Sequence, residues 1–162
     1  MHTAEEYIKQ LQLIAHPEGG YYKETYRSLS KMQADGFDGN RSVATSIYFL
    51  LRDTEKSHLH RIKSDEQWYF HAGNVLEIVV LHEGKLSVQL LGTNIGNGEA
   101  LHITVPAGAW FGSRVKGQMG FALVSCVVAP GFDFADFELA SYKKISREFP
   151  AYDSLLKEMC IE

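Results

Sequence analysis

The sequence predicts an all-β chain of antiparallel strands with short N- and C-terminal helices. Three observations carry that prediction. From Tyr21 onward, short segments rich in β-branched and aromatic residues follow one another. Turn residues separate them at intervals of about ten residues, the rhythm of a sandwich or barrel. Helical periodicity is confined to the two ends.

In chain order, Thr3 and Glu6 form a capping-box pattern ahead of the stripe Ala4, Ile8, Leu11 and Ala15, predicting a helix over about residues 3–15. His16-Pro17-Glu18-Gly19-Gly20 ends it, because proline and paired glycines interrupt a helix. Strands are predicted at 21–27, 43–51, 67–70, 75–82, 85–91, 100–105, 110–115 and 121–128. The segment around Ser57 to Glu66 is read as extended as well. Gly73-Asn74, Glu83-Gly84, Gly92 to Gly98, Pro106-Ala107-Gly108, Lys116-Gly117 and Pro130-Gly131 supply the turns. Ser28 to Arg41 is polar and reads as a loop. Pro150 suits the first position of a last helix carrying Leu155, Leu156 and Met159. The expected organisation is one domain over 1–162, with a barrel at about 20–137 and helices at about 141–160.

At 162 residues the chain is long enough to bury a core without staples. Its net charge of −4, without a Lys/Arg cluster, argues against nucleic acid or an anionic membrane as partner. The first eighteen residues lack the apolar core of a signal peptide. The longest apolar run, Phe121 to Ala129, is about half a membrane span. Cys126 and Cys160 are far apart in sequence and show no metal or redox spacing, so a cytoplasmic location is expected, with Cys126 a buried small hydrophobe.

The chemistry concentrates in Ser57-His58-Leu59-His60 and the following Glu66. In a regular strand, residues two apart share a face, so His58 and His60 are expected on one side, with Glu66 returning to meet them. Two uses stay open. His58, His60 and Glu66 form a candidate ligand set for a divalent metal such as Zn, Fe, Mn or Ni, the one cofactor considered. Alternatively, the same groups line a metal-free polar pocket suited to proton transfer. Tyr21 to Arg27 has two mixed faces, either a solvated edge or a rim offering Glu24 and Arg27 to a ligand. Trp68, Phe70, Trp110 and Phe111 are expected to wall a cavity, and Tyr48 or Tyr69 to return a proton. His16, His82 and His102 are expected at the surface or in caps, and Asp133 and Asp136 in a solvated loop.

His58-x-His60 with Glu66 and Gly73, followed by Pro106-x-Gly108, resembles the two motifs of the cupin superfamily. One extra residue separates His60 from Glu66, and Phe111 stands where the second motif has its histidine. The blocks His16 to Tyr22, Thr25 to Ser28, Ser46 to Leu51, Ser64 to Glu66, Val105 to Trp110 and Val128 to Phe132 resemble one uncharacterised cupin family, domain of unknown function 985. This resemblance implies a double-stranded β-helix, or jelly roll, and a homodimer. A smaller similarity links Gly20-Tyr21-Tyr22-Lys23-Glu24 and Leu59-His60 to the metal-free nucleotide-sugar 3,5-epimerases. It implies His60 as general base, Glu24 as a substrate contact offered by a partner chain, and a sugar derivative as ligand. The epimerases' orienting aspartate and tyrosine acid have no counterpart here. The expected function is therefore a small-molecule-binding cupin, plausibly epimerase- or isomerase-like, with His60 and Glu66 catalytic. The rivals are a metal-dependent oxygenase or isomerase and a non-catalytic ligand-binding cupin.

Overall fold

The computed structural model describes residues 2–161. Helix α1 (Ala4–Leu11) starts on the predicted capping box: the Glu6 N–H donates to Thr3 Oγ1 at 3.2 Å, and the Thr3 N–H donates to Glu6 Oε2 at 2.8 Å. Gln12 closes it in a left-handed conformation, and the chain then turns to β structure. The strands are β1 (Ile14–Ala15), β2 (Tyr21–Arg27), β3 (Lys31–Met32), β4 (Arg41–Ser42), β5 (Thr45–Arg52), β6 (Lys56–Arg61) and β7 (Asp65–Gly73). They continue as β8 (Leu76–His82), β9 (Lys85–Leu91), β10 (His102–Val105), β11 (Trp110–Val115), β12 (Phe121–Ala129) and β13 (Glu138–Leu139). Helices α2 (Tyr142–Glu148) and α3 (Asp153–Met159) end the fold.

Two antiparallel sheets face each other as a jelly roll. One has the order β1-β2-β5-β12-β7-β10 and the other β13-β6-β11-β8-β9. Between them Phe49, Leu51, Trp68, Ile78, Val80, Phe111 and Val124 form the main core. The outer faces are covered too. Leu59, Val79, Leu81 and Trp110 pack under Ile145, Phe149, Leu156 and Met159 of the C-terminal segment. Leu50 and Leu123 pack with Ala4 and Leu13 on the opposite side. Strand β8 is therefore apolar on both faces (Leu76, Ile78 and Val80 inward; Val79 and Leu81 outward) and lacks the alternation of a half-exposed strand. Leu156 is fully buried, so Leu156→Ala is expected to cost about 2–5 kcal/mol in a denaturant titration. An unchanged midpoint would show that the helical cap is not part of the cooperative unit.

The segment predicted as a polar loop, Ser28 to Arg41, instead carries the β3–β4 hairpin. Arg41 is buried and forks onto Asp136 at 2.7 and 2.9 Å. Asp136 thus ties down the loop after β12 rather than lying in solvent. Among the described residues, no helix is long and apolar enough to cross a membrane.

Candidate functional site

A cavity of about 560 Å³ opens between the sheets, beside β2 and the loop that follows β12. Glu18, Thr45, His60 and Glu66 are buried polar residues of its lining, and Tyr22, Phe49, Trp68 and Phe132 supply much of its wall. Few polar groups among many apolar ones is the usual composition of a small-molecule site.

Glu18 reaches the cavity from the tight turn between β1 and β2. The His16 N–H donates to the Gly20 carbonyl at 2.9 Å, and the Gly19 N–H to the His16 carbonyl at 3.0 Å. The turn is pinned to β6, because the Glu18 carbonyl accepts from both the His58 N–H (2.8 Å) and His58 Nδ1 (2.7 Å). Gly19 makes this approach possible. Its φ is +110°, and a Cβ there would overlap the Lys56 carbonyl oxygen.

Strand β6 does not alternate regularly. Ser113 of β11 pairs with Ser57, yet Phe111 pairs with His60, so three steps on β6 oppose two on β11. This is a β-bulge. Gly112 lies against it, where a Cβ would meet the Ser57 carbonyl oxygen at 2.5 Å. The extra residue puts Ser57 and His60 toward Glu18 and sends Leu59 under the C-terminal helices. The expectation that His58 and His60 share the cavity is thereby corrected: His58 sits on the Glu18 turn and does not line the cavity.

The hydrogen bonds locate the protons. His60 Nδ1 is 2.8 Å from the His58 carbonyl, which can only accept, so Nδ1 carries hydrogen. His60 Nε2 faces Glu18 Oε2 at 3.2 Å, while Glu18 Oε1 accepts from the Ser57 hydroxyl at 2.8 Å. Nε2 and Oε2 therefore face each other at the cavity wall. Burial sets the charge of the ring. The imidazole is packed against Phe111 (ring centroids 4.1 Å apart) and Phe137 (5.3 Å), and desolvation pushes its pKa down to about 4. Desolvation also raises the Glu18 carboxyl above its usual range. The imidazole is therefore neutral near pH 7, and burial favours the uncharged form of the carboxyl beside it. Glu66, buried and close to Glu18, is pushed up to about 8, first by desolvation and then by the neighbouring carboxyl, with the Cys126 thiol as its donor neighbour. His16 Nδ1 accepts from the Glu18 N–H at 3.2 Å, and burial lowers its pKa.

Of the residues singled out from sequence, Glu24, Arg27, His60, Glu66 and Trp68 line this cavity together. Glu24 does so within the same chain, forked by Arg27 at 2.7 and 2.9 Å. The others do not. Trp110 and Phe111 are adjacent in a strand and must face opposite ways; Phe111 backs His60, while Trp110 lies under the helices with the Arg61 guanidinium 4.4 Å from its ring. Tyr48 is on the outer face of β5 with Leu50, since Ile47 and Phe49 take the inner one. Phe70 packs on the core beyond the cavity. Tyr69 donates to Gln67 Oε1 and stacks on His102, so neither tyrosine is placed to return a proton. Orientation of His60 falls to Glu18 and not to Glu66.

Sequence reasoning missed Glu18, His16, Ser57 and Cys126 as site residues. His16, expected at the surface, is buried at the cavity wall. The available signal was Glu18 itself, a carboxylate in a Pro-x-Gly-Gly turn, which was read only as punctuation.

A family model described as "Cupin superfamily (DUF985)" matches residues 5–140. The chain belongs to this cupin family. An uncharacterised protein of Saccharomyces cerevisiae, YML079W, is 33% identical, the match covering 83% of this cupin and 73% of the yeast protein. A hypothetical protein from Leishmania major superposes with a TM-score of 0.93 at 40% identity, covering 99% of this chain and all (100%) of the other. Protein SO0799 of Shewanella oneidensis gives 0.90 at 42% identity, covering 99% of both chains. Oxalate decarboxylase from Bacillus subtilis gives 0.58 at 14% identity, covering 90% of this cupin and 36% of the enzyme, and so shares the fold alone.

The cupin motif raises the question of a metal, and the residues present do not fit one. His58 Nδ1 is engaged by the Glu18 carbonyl, and the bulge turns His58 away from His60. A phenyl ring occupies the Phe111 position opposite His60. Among the described residues, no three His, Cys, Asp or Glu side chains converge as a ligand set. The set His58, His60 and Glu66 is corrected accordingly.

Proposed function

We propose that this cupin binds a small polar metabolite of the sugar-derivative class and moves a proton at a carbon next to its carbonyl without a metal. The observation that carries the reading is the approach of Glu18 Oε2 to His60 Nε2, 3.2 Å apart and both buried at the cavity. A general base must stand within hydrogen-bond reach of the proton it takes, in a site that excludes water. With a proton on Nε2, the pair presents the Glu18 carboxylate to the cavity, and the imidazolium beside it stabilises that charge. Ser57 keeps Oε1 in place, and the His58 carbonyl fixes the ring tautomer. The pair then takes the carbon-bound proton through Oε2 and returns it, as an epimerase or isomerase requires. His60, expected as the lone base, acts through Glu18.

Deuterium incorporation tests this. Incubated in D₂O with a panel of aldoses, ketoses and nucleotide sugars, the protein is expected to exchange the carbon-bound hydrogen of one class, followed by proton NMR. Glu18→Gln and His60→Ala are each expected to slow exchange by about a hundredfold or more. Exchange unaffected by both substitutions, or none with any carbonyl compound, overturns the reading.

A further inference from the structure

Among the described residues, no Lys or Arg side chain bonds to either buried carboxyl, Glu18 or Glu66. Among the described residues, the basic side chains lining the cavity are Lys23 and Arg27, both on β2 at its mouth. Lys23 donates to Gln12 Oε1 at 2.7 Å, and Arg27 is taken by Glu24 and by the Phe132 carbonyl at 3.1 Å. The cavity is lined by four acids, Glu18, Glu24, Glu66 and Asp133. Glu18 is committed to Ser57 and His60. Glu66, 7% exposed, lines the cavity and has only the weakly donating Cys126 thiol beside it. Around these acids stand the rings of Tyr22, Phe49, Trp68, Phe132 and Phe134. Aromatic faces carry negative charge density and attract a cation, most strongly where water is excluded.

We propose that the ligand of this cavity carries a protonated amine, seated on Glu66 and enclosed by the aromatic wall. The inference rests on the reading of the cavity as the ligand site and names the class of compound it takes: a small amine with an apolar or carbonyl-bearing body. An anionic ligand would hold Glu66 protonated and meet the negative ring faces. A neutral hydroxyl would leave Glu66 un-ionised and gain little from the ring faces. An ammonium group satisfies both and gives a buried carboxylate the partner it needs to ionise.

Binding is therefore coupled to a proton. In the empty site Glu66 is neutral at pH 7, held so by burial and by Glu18. Seating an ammonium ionises it, and the displaced proton goes to solvent. The other titratable and charged groups lining the cavity are His16 and Glu18 ahead of β2, His60 of β6, Cys126 of β12, Asp133 after β12, and Lys23, Glu24 and Arg27 of β2. Burial keeps His16 and His60 neutral near pH 7 and Cys126 protonated, so Glu66 is the group placed to release the proton.

Titration calorimetry with phenethylamine, phenethyl alcohol and hydrocinnamate compares one aromatic body with a cationic, a neutral and an anionic head. The amine is expected to bind at least about tenfold tighter than either of the others. Its enthalpy is expected to vary with buffer by an amount equal to about one released proton at pH 7. Glu66→Gln is expected to remove both the preference and the proton release. Tighter binding of the alcohol or the acid, or amine binding without proton release in the unsubstituted protein, overturns the proposal and leaves the Glu18–His60 reading standing. Saturable binding by none of the three overturns the proposal as well, while deuterium exchange decides the Glu18–His60 reading by itself.

Discussion

Glu66→Gln is expected to abolish most of the loss of stability that the protein shows as pH rises from about 6.5 to 8. A neutral glutamine keeps the shape of the buried acid and cannot titrate. The carboxyl has an ordinary value of 4.5 and is raised to about 8 in the fold. Between those values the folded state holds a proton that the unfolded chain has given up, so stability falls as pH rises, by roughly 1.4 kcal/mol per unit. His60 has the opposite sign. Its ordinary value of 6.5 falls to about 4, so the unfolded chain binds the extra proton and stability increases from pH 4 to 6.5. The two opposite slopes overlap from 4.5 to 6.5 and nearly cancel. Above 6.5 the His60 contribution is constant, and the carboxyls alone remain. Urea titrations at pH 6.5 and 8 should show the unsubstituted protein losing about 2 kcal/mol across that interval. Glu18, also raised, contributes in the same direction and leaves a residual slope in the variant. Equal slopes in the two proteins would show that Glu66 is not held neutral.

The second large effect is expected at Gly19. At φ +110°, an alanine is strained wherever it points, and its Cβ would overlap the Lys56 carbonyl oxygen. Backbone on both sides leaves no flexible side chain to yield. Gly19→Ala should cost about 3 kcal/mol through the backbone conformation alone. The turn must also lift from β6, breaking the bonds from His58 to the Glu18 carbonyl and drawing the carboxyl away from His60. Both an unfolding titration and the pKa of His60, followed by NMR, check this. The ring is expected to titrate nearer its ordinary value once the turn opens and water enters. A variant with unchanged stability and an unchanged imidazole would show that the turn does not build the site.

Much of the fold was legible in the sequence. Strands β2, β9 and β11 have the predicted limits, and the Thr3–Glu6 cap forms as its spacing indicates. The short strands β1, β3, β4 and β13 were not legible, since two residues carry no periodicity. The site was legible in part. Glu66 and Trp68 converge because they share the inward parity of β7, and parity is a local property, whereas His60 joins them through the bulge in β6. Tyr48 and Trp110 failed on the same rule, each having an inward neighbour that forces it out.

Local pattern alone determined the antiparallel, strand-rich fold class, its helical ends and a polar centre that includes His60 and Glu66. The reason is that side-chain period and turn chemistry act between near neighbours in the chain. Tertiary structure decided which imidazole faces the cavity and which carboxyl touches it. That choice depends on a bulge set by β11 across the sheet and on a glycine turn docked against β6. Neither is expressed in the spacing of His58, His60 and Glu66, because the residues that impose them, Gly112 and Gly19, are about fifty and forty positions away.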